Sequence, residues 1–326
     1  MSNKPRVYVT RMIPRAGIDL LKEECEVTVN PDDRVLTRKE LLENIRDADG
    51  VLCLLTDKID AEVFNTAISS KGFANYAVGY DNIDVEEATR RGIPVSNTPG
   101  VLTDATAELA WALLFSIARR VVESDAFLRS GKWQGWGPLQ FIGGDIEGKT
   151  LGVVGTGRIG TAMALKSRGF NMKVVYSDVA DNPVLEEKCG AKRVSFEELL
   201  SIADYISIHV PLMDSTHHLF NRETFRKMKR SAYLVNTSRG PVIAEKELLE
   251  ALQEGLIAGA AIDVYENEPL LTPGLEKLGN IVVTPHIASA THESRTNMAL
   301  KAARNLLAML RGEHAPDCVN PEVYEN

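Results

Sequence analysis

The sequence has few of the features that mark disulfide scaffolds, membrane proteins and nucleic-acid binders. Its 326 residues include only four cysteines, which are scattered and form no CxxC pair, so no disulfide framework is indicated. The longest apolar runs, such as 51–55, have the length of a strand and are far too short to cross a bilayer. The net charge of −8 and the lack of a Lys/Arg block argue against a nucleic-acid partner.

The remaining composition is that of an ordinary globular protein. Charged residues make up 25% and apolar residues 44%, and the length is sufficient for two domains. No apolar targeting segment precedes the first predicted strand, and scattered reduced thiols are typical of the cytoplasm. We therefore expect a cytoplasmic protein. No metal site is expected, because the sequence contains no HxxxH or other clustered ligand spacing.

The most informative motif lies near the middle of the chain and reads Gly155-Thr156-Gly157-Arg158-Ile159-Gly160. An apolar run at 150–154 precedes it, a helical pattern follows it, and a second apolar run ends at Asp178. A strand, a glycine turn, a helix, a strand and an acid in this order form a complete dinucleotide-binding unit. Because about 150 residues precede the motif, the cofactor domain is predicted to be inserted into another domain.

Each residue of this unit has a physical role in the prediction. Gly155 permits the tight turn, Gly157 lets the backbone approach a pyrophosphate, and Gly160 allows the helix to pack closely. The helix start offers free N–H groups and the positive end of its dipole to the phosphates. Asp178 would accept hydrogen bonds from the ribose hydroxyls and repel a 2′-phosphate. Since no Arg or Lys directly follows it, we expect NAD(H) rather than NADP(H), with nothing nearby to attract the extra phosphate.

Short apolar runs alternate with helical patterns on both sides of the motif. This rhythm predicts parallel sheets with helices on both faces. A long helix begins at 103 and a final one spans about 289–310. Between 131 and 148 a Gly/Trp-rich segment is expected to pack over a site or to reach another subunit. The predicted strands are 7–10, 27–29, 51–55, 73–78, 93–96, 150–154, 172–176, 205–209, 232–236, 258–262 and 281–284.

Three polar side chains, Arg239, Glu268 and His286, follow the last three predicted strands. In an open α/β sheet ligands bind beyond the carboxyl ends of the strands, so the three are expected at one edge, close to the nicotinamide. Each of the three residues, taken alone, could have a purely structural role. That explanation is disfavoured when all three occur together next to a nucleotide-binding fold. His209, which ends another strand near Pro211, is a candidate for lining the same cleft.

This set suits the reduction of a 2-oxo acid, in which hydride goes to the carbonyl carbon and a proton to the carbonyl oxygen. An imidazolium at His286 can donate that proton, and it can accept the proton again in the reverse direction. A carboxylate at Glu268 would favour the charged imidazole. Arg239 can bind the substrate carboxylate through a charge-assisted fork and polarise the carbonyl.

The segments that carry these residues resemble the D-isomer-specific 2-hydroxyacid dehydrogenase family over essentially the whole chain. The resemblance implies two Rossmann-like, doubly wound parallel-sheet α/β domains in a homodimer. A discontinuous, flavodoxin-like substrate domain would comprise 1–100 and 288–326, and the inserted NAD domain 101–287. Besides the glycine motif, the matching segments are Val78-Gly79-Tyr80-Asp81-Asn82-Ile83-Asp84, Asn97-Thr98-Pro99-Gly100-Val101, Ala105-Thr106-Ala107-Glu108-Leu109-Ala110, Asn236-Thr237-Ser238-Arg239-Gly240, Asp263-Val264-Tyr265, Glu268-Pro269 and Thr284-Pro285-His286.

The resemblance also implies roles for individual residues. Arg239 would bind the substrate, Glu268 would tune the histidine, and His286 would act as acid and base. The backbone N–H groups of Val78 and Gly79 would hold the substrate carboxylate, and Leu55 is a further candidate for the substrate pocket. The resemblance and the analysis of the glycine motif together yield a set of candidate NAD-binding residues. These are Thr106, Gly155, Gly157, Arg158, Ile159, Gly160, Asp178, His209, Pro211, Thr237, Ser238 and Asp263.

Within the family, the segments 74–80 and Trp133-x-x-Trp136-x-Pro138 resemble most the glyoxylate/hydroxypyruvate reductases, or glycerate dehydrogenases. The sequence thus predicts an oxidoreductase that uses NADH to reduce glyoxylate or hydroxypyruvate to the D-2-hydroxy acid. One alternative is another D-2-hydroxyacid dehydrogenase, of the lactate, phosphoglycerate or phosphite type. Another is an NADH-sensing corepressor, which is disfavoured because the sequence shows no disordered tail for recruiting partners.

Overall fold

The computed structural model describes residues 4–325, and these form two compact units. One unit is built from both ends of the chain, up to Leu102 and from Ser289 onward. The other spans Thr103–Ala288. Each unit is an α/β structure around one parallel sheet, so the predicted fold class is confirmed. Within 4–325, no helix is long and apolar enough to cross a membrane.

The first unit starts with short strands that alternate with helices. Its five strands are all parallel, in the order β2-β1-β3-β4-β5. The side chains of Thr37, Asp60 and Asp84 accept backbone N–H hydrogen bonds at the starts of three of the helices and so fix where those helices begin. The elements are β1 (Arg6–Val9), α1 (Arg15–Glu24), β2 (Glu26–Val29), α2 (Arg38–Ile45), β3 (Gly50–Cys53), α3 (Ala61–Thr66), β4 (Phe73–Asn75), α4 (Val85–Arg90) and β5 (Val95–Ser96).

The second unit holds a seven-stranded sheet, also parallel, in the order β12-β11-β10-β9-β6-β7-β8. The strand order reverses between β6 and β9, which is the switch point where ligands bind in such sheets. The elements are α5 (Thr103–Ala118), α6 (Val121–Arg129), β6 (Thr150–Val154), α7 (Arg158–Lys166), β7 (Lys173–Ser177), α8 (Pro183–Cys189), β8 (Lys192–Arg193), α9 (Phe196–Ile202), β9 (Tyr205–Ile208), α10 (Arg222–Lys227), β10 (Tyr233–Asn236), α11 (Glu245–Gln253), β11 (Gly259–Ile262) and β12 (Ile281–Val283).

Alternate residues of these strands enter two separate hydrophobic cores. Val235 packs on the side covered by α5 and α7, whereas its neighbour Leu234 packs on the side covered by α9 and α11. The strands read as continuous apolar runs because both faces of the sheet are covered. This burial fixes the strands, and the loops at their carboxyl ends are left to carry polar side chains.

The chain returns to the first unit in α12 (His292–Leu310), which packs against α1 and the strands β3 to β5. The two helices approach closely because Gly17 has no side chain: a Cβ there would lie 2.7 Å from the Ala299 carbonyl oxygen. After α12 the Val319 N–H donates to the Val95 carbonyl at 2.8 Å, so the tail runs along the edge strand β5.

The structure differs from the sequence prediction at a few places. The strand predicted at 73–78 ends at Asn75, where the chain turns into the loop that follows β4. The last helix begins at His292 rather than 289, because the Thr291 side chain caps it. The short elements α3, α6 and β8 have no periodic apolar pattern long enough to be recognised.

Candidate active site

The glycine turn connects β6 to α7 at the switch point of the second sheet. Gly155 has a φ of 87°, a conformation that favours glycine. A Cβ at Gly160 would overlap the Gly155 carbonyl oxygen, so the first turn of α7 packs directly on the glycine turn. At Gly157, by contrast, a Cβ would meet nothing within 4 Å. The backbone at the start of α7 is therefore open to the approach of a phosphate group.

Asp178 follows β7 and bonds to the glycine turn. Its Oδ2 accepts hydrogen bonds from the Thr156 backbone N–H at 2.5 Å and from the Thr156 hydroxyl at 2.9 Å. Its Oδ1 accepts from the Val179 N–H at 2.6 Å. Burial opposes the ionisation of Asp178, but the hydrogen bonds from Thr156 and Val179 outweigh it and hold the pKa of this carboxyl below its usual value. A negative charge is thus fixed beside the turn.

A cation, Arg193, also lies next to Asp178, although nothing nearby was expected to attract a phosphate; its donors are bonded to the protein itself. Arg193 donates from Nε and Nη2 to the Asp178 carbonyl oxygen at 3.1 and 2.8 Å. Its Nη1 pairs with Asp181 at 2.8 Å. The expectation considered only the residues directly after Asp178, whereas the pairing of β7 with β8 sets Arg193 opposite Tyr176.

The three candidate catalytic side chains follow β10, β11 and β12 at the carboxyl edge of the same sheet. The His286 Nδ1 lies 2.9 Å from Glu268 Oε2, and Glu268 Oε1 accepts from the Tyr265 N–H at 3.1 Å. The Arg239 guanidinium donates from Nη1 to the Ser238 carbonyl at 2.8 Å. The structure therefore brings the predicted histidine and glutamate together as a hydrogen-bonded pair.

The charge state of Glu268 follows from its surroundings. Burial raises the pKa of this carboxyl, but the hydrogen bond and charge of His286 lower it, as do the Tyr265 N–H and the charge of Arg239. The lowering effects are larger, so the pKa of Glu268 lies below its usual value. The side chains of His286 and Glu268 are only 27% and 31% exposed, which limits the screening of their interaction by solvent.

The loop that carries His286 is held by Asp263. Its fully buried carboxylate accepts hydrogen bonds from the Thr284 hydroxyl at 2.6 Å and from the Ile287 and Ala288 N–H groups at 2.8 Å each. Burial raises the pKa of Asp263. His286 has a φ of 52°, which is uncommon for a residue other than glycine, and the hydrogen bonds to Asp263 keep it there. The expected contact of Asp263 with NAD stays a prediction.

Thr237, directly after β10, has a buried hydroxyl that forms no hydrogen bond with any residue of 4–325. An unpartnered buried hydroxyl is costly and fits a ligand that supplies a polar group. The neighbouring Ser238 instead bonds to the Asn236 side chain at 2.8 Å. Thr106 is buried in α5, and Arg158 is exposed at the start of α7. These positions are compatible with a bound dinucleotide.

His209, which follows β9, is a neutral histidine in this structure. Its Nε2 lies 2.8 Å from the Ser207 hydroxyl, and burial lowers the pKa of His209 to about 3. The ring is therefore uncharged at neutral pH and keeps a single N–H. Pro211 beyond it is exposed. The place of both residues in the cofactor cleft stays a prediction. Among residues 4–325 no group of three or more His, Cys, Asp or Glu side chains could hold a metal.

In the first unit, the loop after β4 is shaped by two asparagines that sequence reasoning missed. Asn97 donates to the Val78 carbonyl at 2.7 Å and Asn75 to the Gly79 carbonyl at 2.9 Å. The backbone N–H groups of Val78 and Gly79 bond to no acceptor within 4–325. Leu55 is half-buried after the adjacent strand β3. Both asparagines lie in the segments that carry the family resemblance, which was the available signal.

The geometry of the second unit is that of an oxidoreductase with a nicotinamide dinucleotide as cofactor, and comparisons with known proteins agree. Residues 111–288 match the family described as "D-isomer specific 2-hydroxyacid dehydrogenase, NAD binding domain". The chain is 51% identical over 324 residues to the glyoxylate reductase of Thermococcus litoralis, with 98% of each chain covered.

Two solved structures extend the comparison. A protein of Thermus thermophilus is 45% identical with a TM-score of 0.89, covering 96% of this chain and 99% of its own. The NADPH-dependent glyoxylate/hydroxypyruvate reductase of Sinorhizobium meliloti, solved with NADP and malonate, is 30% identical with a TM-score of 0.85, covering 98% and 97%.

The chain belongs to the D-isomer specific 2-hydroxyacid dehydrogenase family. It is therefore an oxidoreductase that acts on a CH–OH group of a small hydroxy or oxo acid, with NAD or NADP as cofactor. The predicted family, enzyme class and nicotinamide cofactor are confirmed.

The electrostatics of the pair yield a prediction. In the variant His286→Ala the pKa of Glu268 should rise from its lowered value, because the hydrogen bond and charge of the imidazole no longer oppose the effect of burial. Carboxyl ¹³C NMR titration of the variant and the unmodified protein measures this change. In the unmodified protein the pair stabilises the fold above the usual glutamate pKa and loses that contribution as the pH falls through the lowered pKa. An unchanged Glu268 titration in the variant would contradict the pairing.

Proposed function

We propose that the protein uses NADH to reduce a small 2-oxo acid, glyoxylate or hydroxypyruvate, to the D-2-hydroxy acid. The observation that carries this proposal is the hydrogen bond of 2.9 Å between His286 and Glu268. This contact orients an imidazole on the sheet edge that also bears the glycine turn. The choice of substrate is supported by the full-length similarity to the glyoxylate reductase of Thermococcus litoralis.

In this proposal each unit has its own set of candidate binding residues. The unit of Thr103–Ala288 binds the dinucleotide, with the phosphates on the glycine turn and the adenosine ribose at Asp178. The loops after β3 and β4 of the other unit bind the acid. Its carboxylate would be held by the N–H groups of Val78 and Gly79, which is supported by the two asparagines that occupy the carbonyls of this loop but leave its N–H groups open.

The roles of the three polar side chains follow from their contacts. Glu268 bonds to Nδ1 of His286, which leaves Nε2 to donate a proton to the substrate carbonyl oxygen as it becomes a hydroxyl. The same nitrogen accepts that proton when the hydroxy acid is oxidised. Arg239 carries a permanent charge that would bind the substrate carboxylate and polarise the carbonyl. A nicotinamide bound at this edge would supply the hydride for the carbonyl carbon.

The preference for NADH is supported by the carboxylate of Asp178. Its lowered pKa keeps it charged at neutral pH, and a charged carboxylate accepts hydrogen bonds from a ribose diol but repels a 2′-phosphate. The related reductase of Sinorhizobium meliloti, in contrast, is NADPH-dependent and was solved with NADP. Cofactor choice is therefore expected to vary within this similarity range.

We also propose a homodimer in the cytoplasm. Trp136 is 85% exposed, and an indole so exposed does not pack within its own chain, which supports a contact with a second copy. The location is supported by four cysteines that are all free thiols. Other exposed apolar side chains in the stretch 121–142, which includes Trp136, are Val121, Val122, Leu128, Trp133, Leu139 and Ile142.

The dimer can be tested through Trp136. Trp136→Glu should weaken self-association, because a charge replaces the apolar contact, and light scattering should show a shift from two chains towards one. Val179→Glu, which changes a residue that is 95% exposed outside this stretch, serves as the control. A mass of one chain for the unmodified protein would refute the dimer.

The activity itself is tested by following NADH loss with a panel of 2-oxo acids. Glyoxylate or hydroxypyruvate should be turned over fastest. His286→Ala should lower kcat by about 10²–10⁴-fold, because the proton donor is lost, while NADH still binds in a fluorescence titration. His292→Ala, at an exposed histidine on α12, should retain the full rate. Absence of turnover with every acid, or a near-normal rate in His286→Ala, would overturn the proposal.

The cofactor preference is tested separately with Asp178→Asn. This variant keeps an acceptor oxygen but removes the charge, so the ratio of kcat/KM for NADH to that for NADPH should fall about tenfold or more, equivalent to about 1.4 kcal/mol. Asp125→Asn, at an exposed carboxylate that pairs with Arg129, controls for general charge effects. Faster turnover of NADPH than of NADH by the unmodified enzyme would refute the role given to Asp178.

A further inference from the structure

Arg193 lies beside the loop that carries the ribose-binding acid, although it is far from that acid in sequence. It belongs to β8, the two-residue strand at the edge of the second sheet. In the parallel pairing of β7 with β8, Arg193 lies opposite Tyr176 and Lys192 opposite Val175. Successive side chains of a strand point to opposite faces, so only one of these two cations is directed at the loop after β7.

All three nitrogens of the Arg193 guanidinium form hydrogen bonds to this loop. Nε and Nη2 both donate to the Asp178 carbonyl, and Nη2 also donates to the Val179 carbonyl at 3.0 Å. Nη1 forms the ion pair with Asp181. A planar fork is suited to such convergent acceptors, whereas a lysine ammonium presents a single charged point.

The backbone position of the segment 178–181 depends on these hydrogen bonds from Arg193. Val179 is 95% exposed, so no packing anchors the segment at its middle. Directly after the segment, the Asn182 N–H donates to the Tyr176 hydroxyl at 2.8 Å, and the Asn182 side chain donates to the Thr156 carbonyl at 3.0 Å. Within 4–325, Arg193 is the residue outside the segment that donates to its backbone carbonyls.

We propose that Arg193 is a positioning residue for the coenzyme: it holds the 178–181 segment so that the Asp178 carboxylate is presented to the adenosine ribose. The inference rests on the ribose-binding role proposed for Asp178. The guanidinium binds the carbonyl side of the segment, while the carboxylate bonds to Thr156 on the other side. Arg193 therefore sets cofactor affinity and the discrimination between NADH and NADPH without itself contacting the ribose.

The opposite role for Arg193, as a ligand of a 2′-phosphate, requires its guanidinium to leave three established partners. Its donors are committed to the carbonyls of Asp178 and Val179 and to the Asp181 carboxylate. The Asp181 carboxylate also neutralises its charge. The two roles predict different kinetic behaviour, because a phosphate ligand affects NADPH alone, whereas a positioning residue affects the binding of NADH.

The test uses three variants of the full-length enzyme. Arg193→Ala should raise both KM and Kd for NADH about five- to tenfold, or about 1–1.4 kcal/mol, and leave kcat within twofold, because the proton-donating pair is untouched. The NADH-to-NADPH ratio of kcat/KM should fall. Arg193→Lys should restore little of the affinity, since it lacks the fork. Lys192→Ala, which removes the neighbouring cation of the same strand, should behave like the unmodified enzyme.

The readouts separate this inference from the proposed function. The Kd for NADH comes from fluorescence titration and needs no turnover, so it tests Arg193 even if no 2-oxo acid is reduced. A Kd for NADH within twofold of the unmodified value in Arg193→Ala overturns the inference. A selective loss of NADPH turnover also overturns it and identifies a phosphate ligand. Circular dichroism of Arg193→Lys, which keeps the charge and most of the side-chain volume, checks that the fold is retained.

Discussion

The parallel direction of every strand in the second sheet is the constraint on which the site depends. Hydrogen bonding in a parallel ladder forces all carboxyl ends to the same edge, so residues far apart in sequence meet there. The glycine turn follows β6, Asp178 follows β7, and the loops that carry Glu268 and His286 follow β11 and β12. The hydrophobic cores on both faces bury the strands. The polar and charged side chains of the site are therefore found in the loops at the carboxyl edge.

A second layer of polar contacts turns this shared edge into a defined geometry. The buried carboxylate of Asp263 bonds to Thr284, Ile287 and Ala288 and so encloses His286, whose backbone is in a conformation that a histidine rarely adopts. Glu268 is in turn oriented by the Tyr265 N–H. The imidazole is thus constrained through its main chain and through Nδ1, and only Nε2 remains to be used. Breaking a buried hydrogen bond of this kind is costly, because it leaves a buried polar group without a partner. These bonds therefore keep the imidazole in one orientation.

The sequence predicted the sheets and proposed the candidate catalytic residues for the same reason. Continuous apolar runs mark buried parallel strands, and polar residues that follow such runs mark the edge, so the position of Arg239, Glu268 and His286 at the carboxyl edge could be predicted without coordinates. What could not be predicted depends on contacts across strands. Arg193 reaches Asp178 only through the β7–β8 pairing, and β8 is too short to show a pattern. The amides of Asn75 and Asn97 hold the Val78–Gly79 loop from two different strand ends, a relation that spacing along the chain does not encode.

The residues around Asp178 show that the presence of a charged side chain near a proposed cofactor site does not by itself predict cofactor specificity. The 178–181 segment carries two carboxylates, Asp178 and Asp181, and the Arg193 guanidinium lies beside it, so a count of charges does not show which of them a ligand would meet. Their partners differ, however. The Asp178 carboxylate bonds to the glycine turn, whereas the Arg193 guanidinium is committed to backbone carbonyls and to Asp181. Because hydrogen bonds are directional, the proposed site on the glycine turn would present the acid to a ligand rather than the base. Under the proposals made above, selection between two dinucleotides that differ by one phosphate would depend on which charge faces the ligand, and Arg193 would decide this by holding the backbone of the segment.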